Sequence, residues 1–256
     1  MQLLRQTGWM IVRQLRNLMR EPIWIALMVI QPLIWLLLYG QLFSRVGALR
    51  GGASTYIAFL TPGIICMNAF FGGSWSGMAM ITDLDRHVID RFLAAPASRF
   101  AIVLSQVVRA GLIAVVQALL LLVLGLALGV RVHGGMAGWL IVFAAAALLG
   151  MVFAGFSHGI ALLVRKEAPM IAAANFVGLP LMFLSAILIP ASQMPHWIEQ
   201  LSRFNPVNWG VHAARNAIVT GGNWDASAVY LGLLLAAAGA TSLFATWCFR
   251  SYQRSL

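Results

Sequence analysis

The side chains in this chain that could do chemistry are few and scattered. Five histidines are spread over different segments: His87, His133, His158, His196 and His212. That spread lacks the spacing of a metal site. Lys166 is the only lysine, and Glu167 follows it with no glycine-rich phosphate-binding pattern before it. We therefore expect no catalytic residue and no metal on this chain, and no ATP hydrolysis by the chain alone.

A second group of polar and aromatic residues interrupts long apolar stretches. A polar side chain in such a stretch must find a partner or a cavity, and a mixed lining suits an amphiphilic or aromatic ligand. The candidate lining residues are Gln31, Asn68, Phe70, Phe71, Gln117, His158, Asn175, Phe176 and Phe183. For His158 the alternative is a hydrogen bond to a neighbouring helix. No carboxylate lies near the middle of a stretch, which disfavours a proton- or sodium-coupled carrier.

Six apolar stretches position these residues, and each is long enough to cross a bilayer as a helix. They run Ile23–Leu42, Tyr56–Ile81, Val103–Val130, Trp139–Val164, Met170–Ile189 and Val229–Phe249. None shows the ten-residue alternation of a barrel strand. The sequence therefore predicts an all-α polytopic membrane protein with six transmembrane helices, a domain that occupies residues 23–256.

The composition agrees with a membrane protein. The chain is 61% hydrophobic and 9% charged, with a mean hydropathy of +0.87, outside the range of soluble domains. Its net charge of +10 is carried almost wholly by arginines in the connecting segments. We expect these to meet anionic lipid headgroups rather than nucleic acid. Cys66 and Cys248 lie within apolar stretches and are not placed for a disulfide.

Residues 1–22 are predicted to form an amphipathic helix on the inner membrane surface. Arg5, Arg13, Arg16 and Arg20 fall within one arc of roughly 80° on a helical wheel, and leucines occupy the opposite side. Pro22 then separates this helix from the first span. The segment could serve only as a surface anchor, or it could also dock a partner and transmit a push into the first span.

The distribution of basic residues predicts that both termini are cytoplasmic. With that orientation the inner segments hold Arg5, Arg13, Arg16, Arg20, Arg86, Arg91, Arg99, Arg165, Lys166, Arg250 and Arg254. The outer segments hold Arg45, Arg50, Arg131, Arg203 and Arg215. Arg109, one to two turns into the third span, counts strongly for neither side.

The loop at residues 83–99 holds the largest charge cluster in the chain. Leu84, Val88 and Phe92 form one helical stripe, which ends before Pro96. The charges around this stripe have both signs, which favours a protein contact over a lipid surface, although a solvated loop also accounts for them. The residues of the expected contact are Asp85, Arg86, Val88, Asp90, Arg91 and Phe92.

The segment at residues 190–217 is too long and polar for a turn. Trp197, Leu201 and Phe204 recur at helical spacing with polar residues between them, and Pro206 is expected to break the helix. We expect an outer re-entrant or interfacial helix, with these three apolar residues shielded and His196 and Arg203 facing water.

Three motifs in this order resemble type 2 ABC exporter permeases of the daunorubicin and multidrug group. They are Tyr56-Ile-Ala-Phe-Leu-Thr-Pro-Gly-Ile64, Leu93-Ala-Ala-Pro-Ala-Ser-Arg99, and Ile189-Pro-Ala-Ser-Gln-Met-Pro-His-Trp197 followed by Asn205-Pro206. With the six spans and the N-terminal helix, the resemblance covers essentially the whole chain. One departure lies in the loop, where family members usually carry Gly-Thr and this chain has Val88-Ile89-Asp90.

The resemblance implies the membrane subunit of an exporter in a bacterial plasma or inner membrane. Two copies would form the pathway, and a separate soluble ATPase that binds ATP and Mg²⁺ would dock on the loop at 83–99 and on the N-terminal helix. The outer segment would cap the exit. A drug-like or amphiphilic substrate, and hence antibiotic resistance, is expected. The alternatives are export of a lipid-linked saccharide or lipo-oligosaccharide, and a non-transporting membrane scaffold.

Overall fold

The computed structural model describes residues 22–85 and 99–253, with side chains from 30 to 84 and from 100 to 251. These residues form α-helices joined by short connections and contain no strand. The helices are α1 Pro22–Leu42, α2 Tyr56–Trp75, α3 Gly77–Asp85, α4 Arg99–Ala127, α5 Gly135–Val164, α6 Glu167–Phe183, α7 His196–Ser202, α8 Pro206–Arg215 and α9 Trp224–Gln253. Short 3₁₀ turns occur at Gly47–Arg50 and Ala191–Gln193, and a π-helical turn at Asn216–Thr220 follows α8.

Four helical stretches of the described chain are long and apolar enough to cross a bilayer. They are Tyr56–Leu84, Phe100–Ala127, Gly135–Val164 and Trp224–Ser251, and they coincide with the second, third, fourth and sixth predicted spans. Two shorter apolar helices, Ile30–Leu42 and Glu167–Phe183, lie at the first and fifth. The all-helical class is confirmed for the described residues, whereas the count of six spans stays a prediction.

Helix α5 is the scaffold against which the other helices are arranged. It packs most extensively against α9, α4 and α2. Small residues allow the close approach to α2, because a methyl group at Gly73 would lie 2.5 Å from the Gly150 carbonyl oxygen. Gly73 and Gly150 therefore lie at a close crossing of α2 and α5.

The long second span is interrupted at Ser76, between α2 and α3, and a side chain of α5 satisfies the interruption. The Ser157 hydroxyl donates to the Ser74 carbonyl at 2.6 Å and accepts from the Gly77 amide at 2.9 Å. The Ser76 hydroxyl donates to the Gly73 carbonyl at 2.6 Å. A backbone break in lipid is tolerated only where protein groups replace the lost hydrogen bonds, and Ser157 provides two of them.

Helix α6 ends at Phe183, six residues before the Ile189 boundary expected from the sequence. Its 17 residues give a helix about 25 Å long, shorter than the ~30 Å of a bilayer core. Residues 184–190 then run as turns and bends; we call them the braced segment. The prediction of an unbroken helix to Ile189 was wrong, because side chains from other helices take the place of the helical hydrogen bonds.

Two asparagines around the start of α8 provide some of the hydrogen bonds that replace the helical ones. The Asn205 amide donates to the carbonyls of Leu181 at 2.7 Å and Leu184 at 3.0 Å. Its own oxygen caps α8, where Pro206 occupies the first turn. The Asn208 amide oxygen accepts from the Ala186 amide at 3.0 Å. Pro206 therefore starts α8, whereas the preceding helix α7 already ends at Ser202.

Tyr56 and Arg215 complete the bracing from the other side. The Tyr56 hydroxyl donates to the Leu188 carbonyl at 2.9 Å. The Arg215 guanidinium donates to the Ala186 carbonyl at 2.7 Å and to the Phe59 carbonyl at 3.3 Å. It also lies 3.7 Å from the centre of the Phe59 ring, a cation–π contact. Arg215 thereby ties α8 to both α2 and the braced segment.

Arg215, which the sequence analysis counts among the basic residues of the outer segments, is buried. Only 9% of the residue is exposed. Burial lowers the pKa of Arg215 to about 9, so the guanidinium is still charged at neutral pH. The neighbouring His212, stacked on Tyr230 with ring centres 5.4 Å apart, has its pKa lowered to about 4 by burial and secondarily by Arg215. The cation on this helix is therefore a structural group.

We predict that Arg215→Met destabilises the protein far more than Arg203→Met. Loss of Arg215 removes the donor to the buried Ala186 carbonyl, at a cost of about 1–3 kcal/mol. Arg203 is exposed and pairs with Glu199 at 3.4 Å on one face of α7, a contact of about 0.3–0.5 kcal/mol. Thermal unfolding of both variants in the same detergent measures the difference. Equal midpoints would contradict the bracing role.

Candidate functional site

A cavity of about 790 Å³ lies among α1, α2, α3, α4, α5 and α6. This volume falls within the range of small-molecule sites. Its lining combines aromatic, amide and small side chains. The rim includes two exposed amides on different helices, Gln31 of α1 and Asn175 of α6. The cavity is therefore open at the surface of the single chain, between α1 and α6.

Helical periodicity places the lining residues. On α4, residues three or four apart present one stripe to the cavity: Gln106, Arg109, Ala110, Ile113, Ala114 and Gln117. On α2 the lining is broader and includes Asn68, Phe71, Gly72 and Trp75 together with Met67, Ala69 and Gly73. This lining runs up to the interruption at Ser76, which also lines the cavity.

The structure brings together most of the lining residues proposed from the sequence. Those on the cavity wall are Gln31, Asn68, Phe71, Gln117, His158, Asn175 and Phe183. Phe70 does not line it, because its ring is fully buried and packs edge-on against Phe153 with ring centres 4.4 Å apart. Phe176 does not line the cavity either, and 82% of this residue is exposed. Phe70 and Phe176 are each the sequence neighbour of a lining residue, Phe71 and Asn175 respectively.

His158 makes a different hydrogen bond from the one expected. Its Nδ1 lies 2.6 Å from the Ala154 carbonyl oxygen, one turn back on the same helix. The expectation of a bond to a neighbouring helix was therefore wrong. The ring is 1% exposed and forms part of the cavity wall. No group of three or more metal-binding side chains occurs within the described part of the chain.

Gln106 and Arg109 also line the cavity, although neither was proposed from the sequence. Arg109 was weighed there only as a topology signal. Its half-buried guanidinium lies within electrostatic range of Asp83 on α3 and of His158 on α5. The signal that identifies both residues is their spacing on α4, since Gln106 lies four positions before Ala110 and Arg109 lies four positions before Ile113.

Asn68 supplies an unsatisfied donor to the cavity wall. Its amide nitrogen is buried and has no hydrogen-bond partner among the described residues. An unpaired buried donor is costly. This nitrogen is closed off from the cavity in the structure, so a ligand would reach it only after the side chain moved.

The side chains of the other proposed site residues fall outside the described part of the chain or in the outer segment. Arg5, Arg13, Arg16 and Arg20 fall outside the described residues, as do Arg86, Val88, Asp90, Arg91 and Phe92. Asp85 ends α3, and its side chain is not described. In the outer segment Trp197, Leu201 and Phe204 are 60%, 50% and 82% exposed, so the rest of this chain does not shield them.

Comparison with known proteins identifies the family to which the chain is similar. The profile of the ABC-2 type transporters matches residues 5–219. The chain is 30% identical over 201 residues to ycf38 of Cyanophora paradoxa, which is named as a transport permease; the match covers 78% of this chain and 69% of the relative. It is 29% identical over 238 residues to the daunorubicin resistance ABC transporter permease protein DrrB1 of Streptomyces coeruleorubidus, covering 91% and 80%. A ycf38 protein of Pyropia yezoensis is 26% identical over 228 residues, covering 87% and 77%.

We predict that the cavity is hydrated and that Asn175 and Phe176 face different environments. In a chain with Cys66 and Cys248 replaced by alanine, Asn175→Cys should react with a water-soluble maleimide. Phe176→Cys should react at least about tenfold more slowly, because lipid or a second copy excludes water there. The labelling rate in lipid nanodiscs, followed by mass spectrometry, gives the comparison. Equal rates at these adjacent positions would rule out this orientation of α6.

Proposed function

This chain belongs to the ABC-2 type transporter family, and we propose that it is the permease subunit of an ATP-driven exporter. Its substrate is a drug-like or amphiphilic molecule that leaves the cytoplasm or the inner leaflet. The observation that carries the proposal is the open cavity of about 790 Å³, lined by both amides and aromatic rings. A site of this chemistry accommodates a molecule with an apolar body and a polar end.

The proposed topology has six spans with both termini in the cytoplasm of a bacterial plasma or inner membrane. The four long helices and the two shorter apolar helices support this arrangement. The break that follows α6 also supports it, because shortened helices are tolerated where protein satisfies the backbone. In this topology the outer segment, 190–217, caps the exit side. Trp197, Leu201 and Phe204 then rest in the lipid interface, which accounts for their exposure in the single chain.

A second copy of the chain completes the pathway in this proposal. The cavity opens between α1 and α6, both of which carry exposed apolar residues such as Leu38 and Phe183. Two copies facing each other across these helices would enclose the substrate between them. With two ATPase subunits the assembly is a two-plus-two complex.

Energy comes from a separate soluble ATPase that binds ATP and Mg²⁺. Its proposed docking site is the loop at 83–99 together with the N-terminal helix. Helix α3 connects this loop to the cavity, since Ala79 of α3 lies on the cavity wall. Movement of the loop would therefore reach the substrate site through a single short helix.

The amide-rich part of the wall favours one alternative substrate class. Gln31, Asn68, Gln106, Gln117 and Asn175 offer donors and acceptors of the kind that sugar hydroxyls use. A lipid-linked saccharide or lipo-oligosaccharide is therefore the second candidate. If the chain were a non-transporting scaffold, the cavity would have no function.

We predict that the purified chain alone hydrolyses no ATP and that it copurifies with its ATPase in equal numbers. Proteoliposomes that contain both subunits should move a fluorescent amphiphile only in the presence of ATP and Mg²⁺. Stoichiometric hydrolysis by the chain alone, or no ATP-dependent movement of drug-like and saccharide-linked amphiphiles alike, would overturn the proposal.

The coupling role of the loop predicts that Val88→Asp combined with Phe92→Asp abolishes ATP-dependent transport. Truncation of a buried aromatic anchor commonly costs about 2 kcal/mol or more at an interface, and two buried carboxylates cost more. The control is Val46→Asp, in the exposed connection between α1 and α2. Transport in proteoliposomes should survive the control and fail in the double variant. Full transport by the double variant would show that another element docks the ATPase.

A further inference from the structure

The formal charge on the described part of the cavity wall is positive. Among the described residues that line the cavity, Arg109 is the one with a formal charge, and none is aspartate or glutamate. The guanidinium is half-buried, between solvent and protein. Because charges interact more strongly away from bulk water, this side chain sets the local preference for the charge of a ligand.

Hydrogen-bond donors reinforce this preference. Arg109 carries five N–H groups and no acceptor. A head group with acceptor oxygens could accept from these N–H groups, whereas a trimethylammonium group has no acceptor to offer them.

Asp83 moderates the charge of Arg109 without entering the cavity. It interacts electrostatically with Arg109 from α3 but is not among the lining residues. An acidic ligand would therefore share Arg109 with Asp83. A cationic ligand would meet Arg109 with no carboxylate on the described wall to balance its charge.

We infer that the cavity selects amphiphiles with an acidic head group, of the carboxylate or phosphate class, and that Arg109 is the residue that selects them. The apolar body of the ligand lies against Trp35, Phe71 and Phe183. This inference rests on the proposed function, because it names the substrate class of the same cavity. The preference for acidic head groups would distinguish this chain from a transporter of cationic drugs.

The test measures binding to the full-length chain in nanodiscs of phosphatidylcholine, a lipid without net charge. The probes share one chain-brominated twelve-carbon tail and end in a phosphate monoester, a carboxylate or a trimethylammonium group. Bromine quenches the fluorescence of nearby tryptophans, and Trp35 and Trp75 line the cavity. Loss of the quenching in a Trp35→Phe, Trp75→Phe variant assigns the signal to this site.

We predict that the acidic probes bind saturably and the trimethylammonium probe at least about tenfold more weakly. Arg109→Gln should reduce the affinity for acidic probes by roughly tenfold or more, the effect of losing a charge-assisted hydrogen bond. Arg109→Lys should retain part of the selectivity. Asp83→Asn should tighten the binding of acidic probes. The matched control is Arg131→Gln, an exposed arginine away from the cavity, which should leave the affinities unchanged.

The wild-type comparison of acidic and cationic probes decides the matter even if a variant fails to fold. Equal affinities for the two charges, or selectivity that persists unchanged in a folded Arg109→Gln chain, would overturn the inference. A difference between the phosphate and carboxylate probes assigns the head group within the acidic class. These assays use neither ATP nor the ATPase. Failure of the charge selectivity therefore leaves ATP-dependent transport standing, and failure of transport leaves the charge selectivity standing.

Discussion

The lack of hydrogen-bond partners in lipid is the constraint on which the rest of this structure depends. Each interruption of a helix within a bilayer must be satisfied by the protein itself. The chain has two such interruptions in its described helices. Ser157 bonds across the break between α2 and α3. Asn205, Asn208, Tyr56 and Arg215 together brace residues 184–190. The polar side chains are thus placed where the backbone requires them.

Both interruptions also border the cavity. Asn205 holds the carbonyls of Leu181 and Leu184, and the two residues between them, Met182 and Phe183, line the cavity wall. At the other break, Ser76 itself is a lining residue. The bonds that satisfy the backbone therefore also shape the site, and a fixed cavity wall is what a selective binding site needs.

Much of this architecture follows from the sequence, because an apolar run of about 20 residues has few alternatives to a membrane helix. The end of α6 does not follow, since Leu184–Ile189 is as apolar as the helix before it and hydropathy does not register distant side-chain donors. For the same reason Arg215 resembles a surface charge in the sequence. Phe70 and Phe71 show a further limit. Helix α2 is apolar on nearly every side, so periodicity alone does not give its rotation. The family motifs did mark Tyr56 and Asn205.

Hydrogen exchange over the braced segment tests the central claim most directly, because it reports whether amides of a non-helical stretch are hydrogen-bonded. The full-length chain in lipid nanodiscs would be placed in deuterated buffer and digested, and peptides would be followed by mass spectrometry. The account predicts that the bonded amides of Leu184 and Ala186 exchange as slowly as those of the neighbouring helix α6, on the scale of hours. The exposed connection at 43–55 should exchange within seconds to minutes. Equally fast exchange in both segments would contradict a braced break and the fixed cavity wall that depends on it.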